Sequence, residues 1–564
     1  MSINEDVRQH ADIILQNGVV YTVDRQRSLA EAVAVTGRNI IYVGSNSGAA
    51  GLTGPQTEVI DLGGKMVLPG FIDSHAHASA TINGDDSVIL DGLDSAAAYV
   101  SAVKDFAAAH PDLSVIYGHG WRNEAFAPEG PPKEALDEVV WDRPVSLMSN
   151  DGHSIWVNSR ALEMAGVTRH TPCPSGGLIE MNPVTGEPGG TVRETARDLI
   201  QNVLPPYTVE QMKTGIRDFM REASRVGITS VHDPLLLLPD GGGQLNGFGS
   251  ARNSVAAYQN LVANGELTCR VRGTILTDPT RGELQVPALA AACAAQKHPL
   301  FRISGAKVFV DGVVEGGTAY LQKPYAHKPD FRGEPLWEQD RLNALCRAAD
   351  RHNLQIHIHA IGDAAVKMAL DALEYARTHN GPRDSRHLIT HLQIVDYEDI
   401  PRFARLGVVG VPQPFWHVKG AFFREIEVKF LGYERAEKEY PMKSFLAAGV
   451  TLASASDYPV QVPSPPLVGI MRGVLRRHVG ETDPDEILGA GERMTPADMI
   501  ASFTINGAYA NRIEDETGSI EVGKKADLVV LEKNLFDIPA EQIGAVPVLM
   551  TLFEGRTVYR DPAI

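Results

Sequence analysis

The chain has 564 residues, 43% of them hydrophobic, more than one simple core can organise, so two or three structural units are expected. Fifty-two basic residues against 70 acidic ones leave a formal charge of −18, which disfavours a nucleic-acid or anionic-membrane partner. Cys173, Cys269, Cys293 and Cys346 are scattered and read as reduced thiols; with no apolar run of spanning length and no basic-apolar leader, the expectation is a soluble cytoplasmic protein.

Residues 11–22 read as a strand, an Asn17-Gly18 turn and a second strand. The pattern repeats at 32–35 and 40–43 around Gly37-Arg38-Asn39, and 59–61 adds a short strand. Strand-like runs return at 527–531 and 548–558, with turns at Gly523-Lys524 and Glu554-Gly555. Neither piece can bury a good core alone, so 1–66 and 515–564 are expected to pack together as one β-sandwich.

Between them, strand-like runs at 67–75, 227–233, 268–276, 303–311, 354–360, 387–393, 408–412 and 450–457 alternate with helical periodicity, as at 209–226, 341–352, 363–379 and 496–511. Eight strands alternating with helices predict an α/β fold, a (β/α)8 TIM barrel over 67–78 and 216–514; an open doubly wound sheet is the alternative. The barrel is preferred because the notable polar residues fall at strand C-terminal ends. The segment 79–215 is too long for one crossover, and contains strand-like runs at 115–121 and 144–148 and a Gly-rich stretch at 175–191. It reads as a subdomain inserted after the first barrel strand and covering the barrel mouth. Glycines at 241–243 and 247–249 predict a loop after the second strand.

The chemistry starts at Ser74-His75-Ala76-His77. Side chains alternate along a strand, so His75 and His77 share a face. Lys307 sits in the apolar run Ala306-Lys307-Val308-Phe309, where burial lowers an amine's pKa. It reads either as paired with a carboxylate such as Asp311 or as carbamylated, which turns a cation into a metal-bridging carboxylate. His359 ends the fifth run, with His357 deeper on the same face or supporting it; His391 ends the sixth and Asp457 the eighth. Singly each is ordinary. Together they form a set of imidazole and carboxylate ligands at strand ends, which suits one or two divalent metal ions, zinc first.

In this order the sequence resembles the amidohydrolase superfamily, and within it the N-substituted formamide deformylase-like (YtcJ-like) branch. The resemblance is carried by Pro69-Gly-Phe-Ile-Asp-Ser-His-Ala-His77, Lys307 to Gly312, His359-Ala-Ile-Gly-Asp363, His391 with Gln393, Gln413-Pro414 and Ser456-Asp457-x-Pro459. Further support comes from the stretches Asp151 to Leu162 and Gly227 to Asp233. It implies His75, His77 and Asp457 on one metal, with Lys307 as a carbamate bridging to a second held by His359 and His391. Ala455 departs from the glycine common in that branch and raises the question of whether its methyl group displaces Asp457.

The function expected is metal-assisted hydrolysis of a C–N bond in a small molecule, an amide, N-formyl or related linkage, with Asp457 as proton shuttle. His153, Trp121 and Gln413 are the candidate substrate contacts. The competing readings are a lapsed enzyme serving as a binding or regulatory protein, and the same metal site used for deamination or ester hydrolysis. A homodimer is expected only as the commonest symmetry.

Overall fold

The structure, a computed structural model, describes residues 10–81, 86–150, 152–174, 176–238, 251–461 and 464–564. The expected glycine loop at 241–249 and Asp151 lie outside these residues. A curled parallel sheet forms the centre: β1 (Phe71–Asp73), β2 (Ile228–Leu236), β3 (Arg270–Leu276), β4 (Phe301–Phe309), β5 (Gln355–Ala360), β6 (Leu388–His391) and β7 (Val409–Val411), in sequential order. The eighth position is held by 450–457, which is not a regular strand. It makes one parallel bridge, Leu452 to Gly410. Its backbone nevertheless bonds both ways: Ala455 N–H donates to Pro412 O at 3.0 Å on the β7 side, and Asp457 N–H to His75 O at 2.8 Å on the β1 side. The ring therefore closes as a TIM-like α/β barrel, through the segment that carries Asp457.

The apolar run expected as one strand over 67–75 is two. Met66–Pro69 pairs with Val19–Tyr21 and Leu528–Leu531, while β1 pairs with β2. The switch falls at Gly70, where a Cβ would lie 2.3 Å from Thr229 Oγ1, so only glycine permits the approach. The run reads as uniformly apolar because both of its faces are buried. Met66 and Leu68 join the barrel core, whereas Val67 joins the core of the terminal sandwich. The same division splits Leu528–Leu531: Val529 and Leu531 face the barrel, Leu528 and Val530 the sandwich.

That sandwich consists of a four-stranded sheet from the N-terminal part and a six-stranded sheet mixing strands from both ends of the chain. The strands flanking Asn17-Gly18 do not form a hairpin. Ile13–Gln16 belongs to the first sheet and Val19–Tyr21 to the second. Buried Arg270 ties barrel to sandwich through Asp527 at 2.7 Å and Glu554 at 3.1 Å.

Between β1 and β2 stands a separate six-stranded sheet ordered Gly177–Met181, Pro188–Glu194, Ser154–Val157, Val145–Ser149, Ile116–Trp121, Val88–Ile89. It has a core on each face: Trp121, Leu147 and Trp156 on one side, Ile155, Val157 and Ile200 on the other. The chain re-enters the barrel through helix Val209–Arg225. Thr208 and Gln211 cap it reciprocally, and Met212, Ile216, Phe219, Met220 and Ala223 supply its buried stripe. The helix expected over 496–511 breaks at Thr504 into Pro496–Ser502 and Ile505–Ala510. Among the described residues no helix is long and apolar enough to cross a membrane.

Candidate metal centre

His75, His77, Lys307, His359, His391 and Asp457 all line one cavity of about 1410 Å³ at the C-terminal end of the barrel strands. His75 Nε2 and His77 Nε2 lie 3.2 and 3.1 Å from Asp457 Oδ1, and the three residues offer ligand atoms within 4.8 Å of one another. His391 stands beside them, its ring centroid 5.2 Å from that of His75 and 4.4 Å from that of His359.

His75, His359 and His391 are each held from behind, which decides the nitrogen they present, whereas His77 Nδ1 is buried with no hydrogen-bond partner. His359 Nε2 donates to Gly312 O at 3.1 Å, leaving Nδ1 as its lone-pair atom. His391 Nδ1 donates to Gln413 Oε1 at 3.1 Å, leaving Nε2. Gln413 is itself oriented, because its Nε2 donates to Thr390 Oγ1 at 3.1 Å. His75 Nδ1 faces His357 Nε2 at 2.8 Å. Thus His357 supports His75, not His359.

His391 and Asp457 hold φ values of +75° and +59°. Left-handed backbone in such residues costs of order 1–3 kcal/mol each and collects at functional sites. Asp73 pins the Asp457 turn: its Oδ1 accepts from His75 N–H at 3.2 Å and Ser456 N–H at 3.0 Å. Ala455 does not disturb this turn. Its φ is not positive, and its methyl packs in a small cluster with Ala453 and Val411.

The electrostatics suit a cation. Burial holds His75 and His391 well below the ordinary imidazole range and His359 at about 3, so all three are neutral donors. Burial opposes ionisation of Asp457, but contact with His77 and the nearby basic groups bring it down to about 2. Burial lowers Lys307 to about 7, within reach of a neutral, nucleophilic amine. Its expected partner Asp311 is engaged elsewhere, accepting from the backbone N–H groups of Tyr320, Ile361 and Gly362 at 2.9–3.0 Å. Three buried atoms, His75 Nε2, Lys307 Nζ and Asp457 Oδ1, have no hydrogen-bond partner. Buried polar atoms left bare in this way are costly. Their convergence is what a divalent ion would satisfy, so the residues present fit a metal.

The insertion contributes the opposite wall. His153 lines the cavity and its Nδ1 bonds Glu194 Oε2 at 3.0 Å; His119 Nδ1 pairs with Asp91 Oδ2 at 2.9 Å. The other two expected substrate contacts stand apart from the lining. Trp121 is fully buried in the insertion core, its indole N–H donating to Leu147 O at 2.8 Å. Gln413 is fully buried behind His391. An indole and an amide are as well suited to closing backbone and imidazole hydrogen bonds as to touching a substrate, and here both do the former. Glu194, Gln393 and Glu427 also line the cavity; Gln393 is marked in the sequence only through the resemblance, and Glu194 and Glu427 carry no sequence signal beyond being acidic.

The model for the amidohydrolase family matches residues 58–559. Over 550 residues, 97% of this chain and 99% of the relative, the sequence is 30% identical to YtcJ of Bacillus subtilis (strain 168). It is 28% identical over 567 residues, 97% and 98% of the two chains, to N-substituted formamide deformylase of Arthrobacter pascens. Among solved structures, a metal-dependent hydrolase from Pyrococcus horikoshii OT3 superposes with a TM-score of 0.73 at 23% identity, covering 94% of this chain and 99% of that one. With a matching model that spans most of its length, this chain belongs to the amidohydrolase family.

Proposed function

We propose that the protein hydrolyses a C–N bond of a small molecule, an amide, N-formyl or related linkage, using one or two divalent ions, zinc first, at the centre formed by His75, His77, Lys307, His359, His391 and Asp457. The reading rests above all on the bare buried atoms His75 Nε2, Lys307 Nζ and Asp457 Oδ1, which meet at the strand ends with no partner in the protein. A divalent ion held there supplies Lewis acidity and lowers the pKa of water toward neutrality. His75, His77 and Asp457 would hold one ion and His359 and His391 a second, and Lys307, once carbamylated by carbon dioxide, would supply the carboxylate between them. Asp457 takes a proton from the attacking water and returns it to the departing amine. His153, oriented by Glu194, presents Nε2 to the substrate from the opposite wall. The similarity to a formamide deformylase favours the N-formyl group among the C–N linkages.

The test couples metal analysis to a substrate screen. Purified protein should carry about one or two divalent ions per chain, as metal-hydrolase sites do, and should turn over an N-formyl, N-acyl-amino-acid, carbamate or lactam substrate. Full activity in metal-free protein would sink the mechanism. Metal-loaded protein inert toward all four classes would favour a binding role, and turnover of esters or amino-heterocycles alone would move the reaction to those bonds.

A further inference from the structure

Below the ligand cage, inside the barrel, three imidazoles run in line from His75 to the loop end of helix Ile505–Ala510. His75 Nδ1 lies 2.8 Å from His357 Nε2, His357 Nδ1 lies 3.2 Å from His232 Nε2, and His232 Nδ1 lies 2.7 Å from Asn511 Oδ1. All four side chains are buried. Successive ring centroids are 4.7 Å apart, with planes crossed at 66° and 68°. Crossed rings direct an N–H edge at a neighbouring lone pair, which stacked rings could not do.

The amide end gives the line its direction. Asn511 Nδ2 donates to Gly507 O at 3.0 Å, so the amide oxygen is the atom that faces His232. An amide oxygen only accepts, and therefore His232 Nδ1 carries the hydrogen. All three rings are buried, and each ring-to-ring contact needs a donor nitrogen facing an acceptor nitrogen, so each ring carries a single N–H. His232 Nε2 is then an acceptor, and His357 Nδ1 must donate to it. By the same step His357 Nε2 accepts from His75 Nδ1, and His75 is left with its lone pair on Nε2. That lone pair faces Asp457 Oδ1 at 3.2 Å, one acceptor against another. Thr274 Oγ1, 3.4 Å from His232 Nε2, gives its hydrogen to Pro234 O at 3.2 Å and leaves the relay undisturbed.

We propose that Asn511, His232 and His357 form a tautomer relay that locks His75 with its hydrogen on Nδ1 and its Nε2 lone pair toward the metal position. The role assigned to Nε2 rests on the metal-centre reading above. None of the three reaches the cavity; they are positioning residues. The relay transmits orientation and not protons, because it ends at an amide oxygen that holds no exchangeable hydrogen. His359 and His391 are each set by one short contact, to Gly312 O and Gln413 Oε1. His75 differs in taking its orientation from a side chain three hydrogen bonds away.

The experiment uses full-length, metal-free protein labelled with 15N-histidine. Long-range 1H–15N spectra, assigned by single substitutions, report which ring nitrogen carries the hydrogen, and chelator competition gives the zinc dissociation constant. His75, His232 and His357 should all carry hydrogen on Nδ1. Asn511→Leu should release that preference and weaken zinc binding roughly 10- to 100-fold, the usual cost of losing an outer-shell partner. Asn511→Asp, which keeps an acceptor, should restore both. Hydrogen on Nε2 of His75 in the unsubstituted protein overturns the relay, as does Asn511→Leu with unchanged tautomers and unchanged zinc affinity. If Asn511→Leu does not fold, the unsubstituted spectrum decides alone. Rings with the expected tautomers in a protein that hydrolyses nothing would leave the relay standing and remove the hydrolase reading.

Discussion

The two walls of the cavity are built on different terms. The barrel side offers side chains that are almost wholly buried: His75 and Lys307 at 0% exposure, Asp457 at 6%. His75, His359 and His391 are each held from behind by a further hydrogen bond. The insertion side offers His153 and His119 with side chains 22% and 28% exposed, the first paired with a mostly covered Glu194 and the second with an exposed Asp91. It also has its own cores, independent of the barrel. A centre on buried strand ends beneath a separately packed roof leaves the roof able to vary without rebuilding the centre.

That contrast can be broken most sharply on the barrel side. Asp457→Asn should keep the fold and lose turnover by about 10²- to 10⁴-fold, the usual contribution of a general acid–base. Circular dichroism and steady-state rates check both halves, and normal turnover would remove Asp457 as proton carrier. Lys307→Met should abolish most activity while stabilising the metal-free protein by about 1–3 kcal/mol, the cost of an unsatisfied buried polar group. Denaturant melts in chelator read this directly; a destabilised variant would mean the amine has a partner. On the roof, His153→Asn should raise KM about tenfold, or ~1.4 kcal/mol, with kcat nearly unchanged, as removal of a uniform binding contact does. A fall in kcat alone would place His153 in the chemistry and erase the division between the walls.

The smallest effect concerns a buried carboxyl pair, one member of which, Glu427, lines the cavity. Gln393 Nε2 donates to both Glu427 at 2.9 Å and Glu439 at 3.0 Å. Burial pushes both upward, Glu427 to about 8 from 4.5; the charge of Glu315 adds to this at Glu427, and that of Glu427 at Glu439. A raised carboxyl pKa gives stability that is present below the unfolded value and lost as pH rises through the folded one. Stability should therefore fall between pH 4.5 and about 8. Glu439→Gln should flatten that decline by up to about 1.4 kcal/mol per pH unit for the one proton removed, measured as melting temperature against pH. An unchanged slope would mean that the pair does not share its protons.

The same contrast governs how much could be read from the sequence. His75, His77, Lys307, His359, His391 and Asp457 were legible because a strand end is a fixed address: alternation sets the face, and the C-terminal end sets the level. The length of the first barrel strand was not legible, since Val67 and Leu68 are equally apolar whether they face one core or two. The eighth strand dissolved into a bridge because 450–457 bonds its neighbours irregularly. Trp121 and Gln413 carry polar atoms that packing consumed. Asn511 had no signal, because an amide after a helix gains its meaning only from the ring it meets across the barrel.

The glycine switch at Gly70 has a consequence for the order in which the molecule can be completed. Met66–Pro69, immediately ahead of the His75–His77 pair, lies against Leu528–Leu531. Asn511, at the far end of the imidazole line, is also made late in synthesis. The first two ligand candidates in the chain are thus buttressed by segments far downstream of them. A nascent chain stalled before those segments would leave Met66–Pro69 without its Leu528–Leu531 partner and His232 without its amide, so the setting of His75 is completed only after both are made.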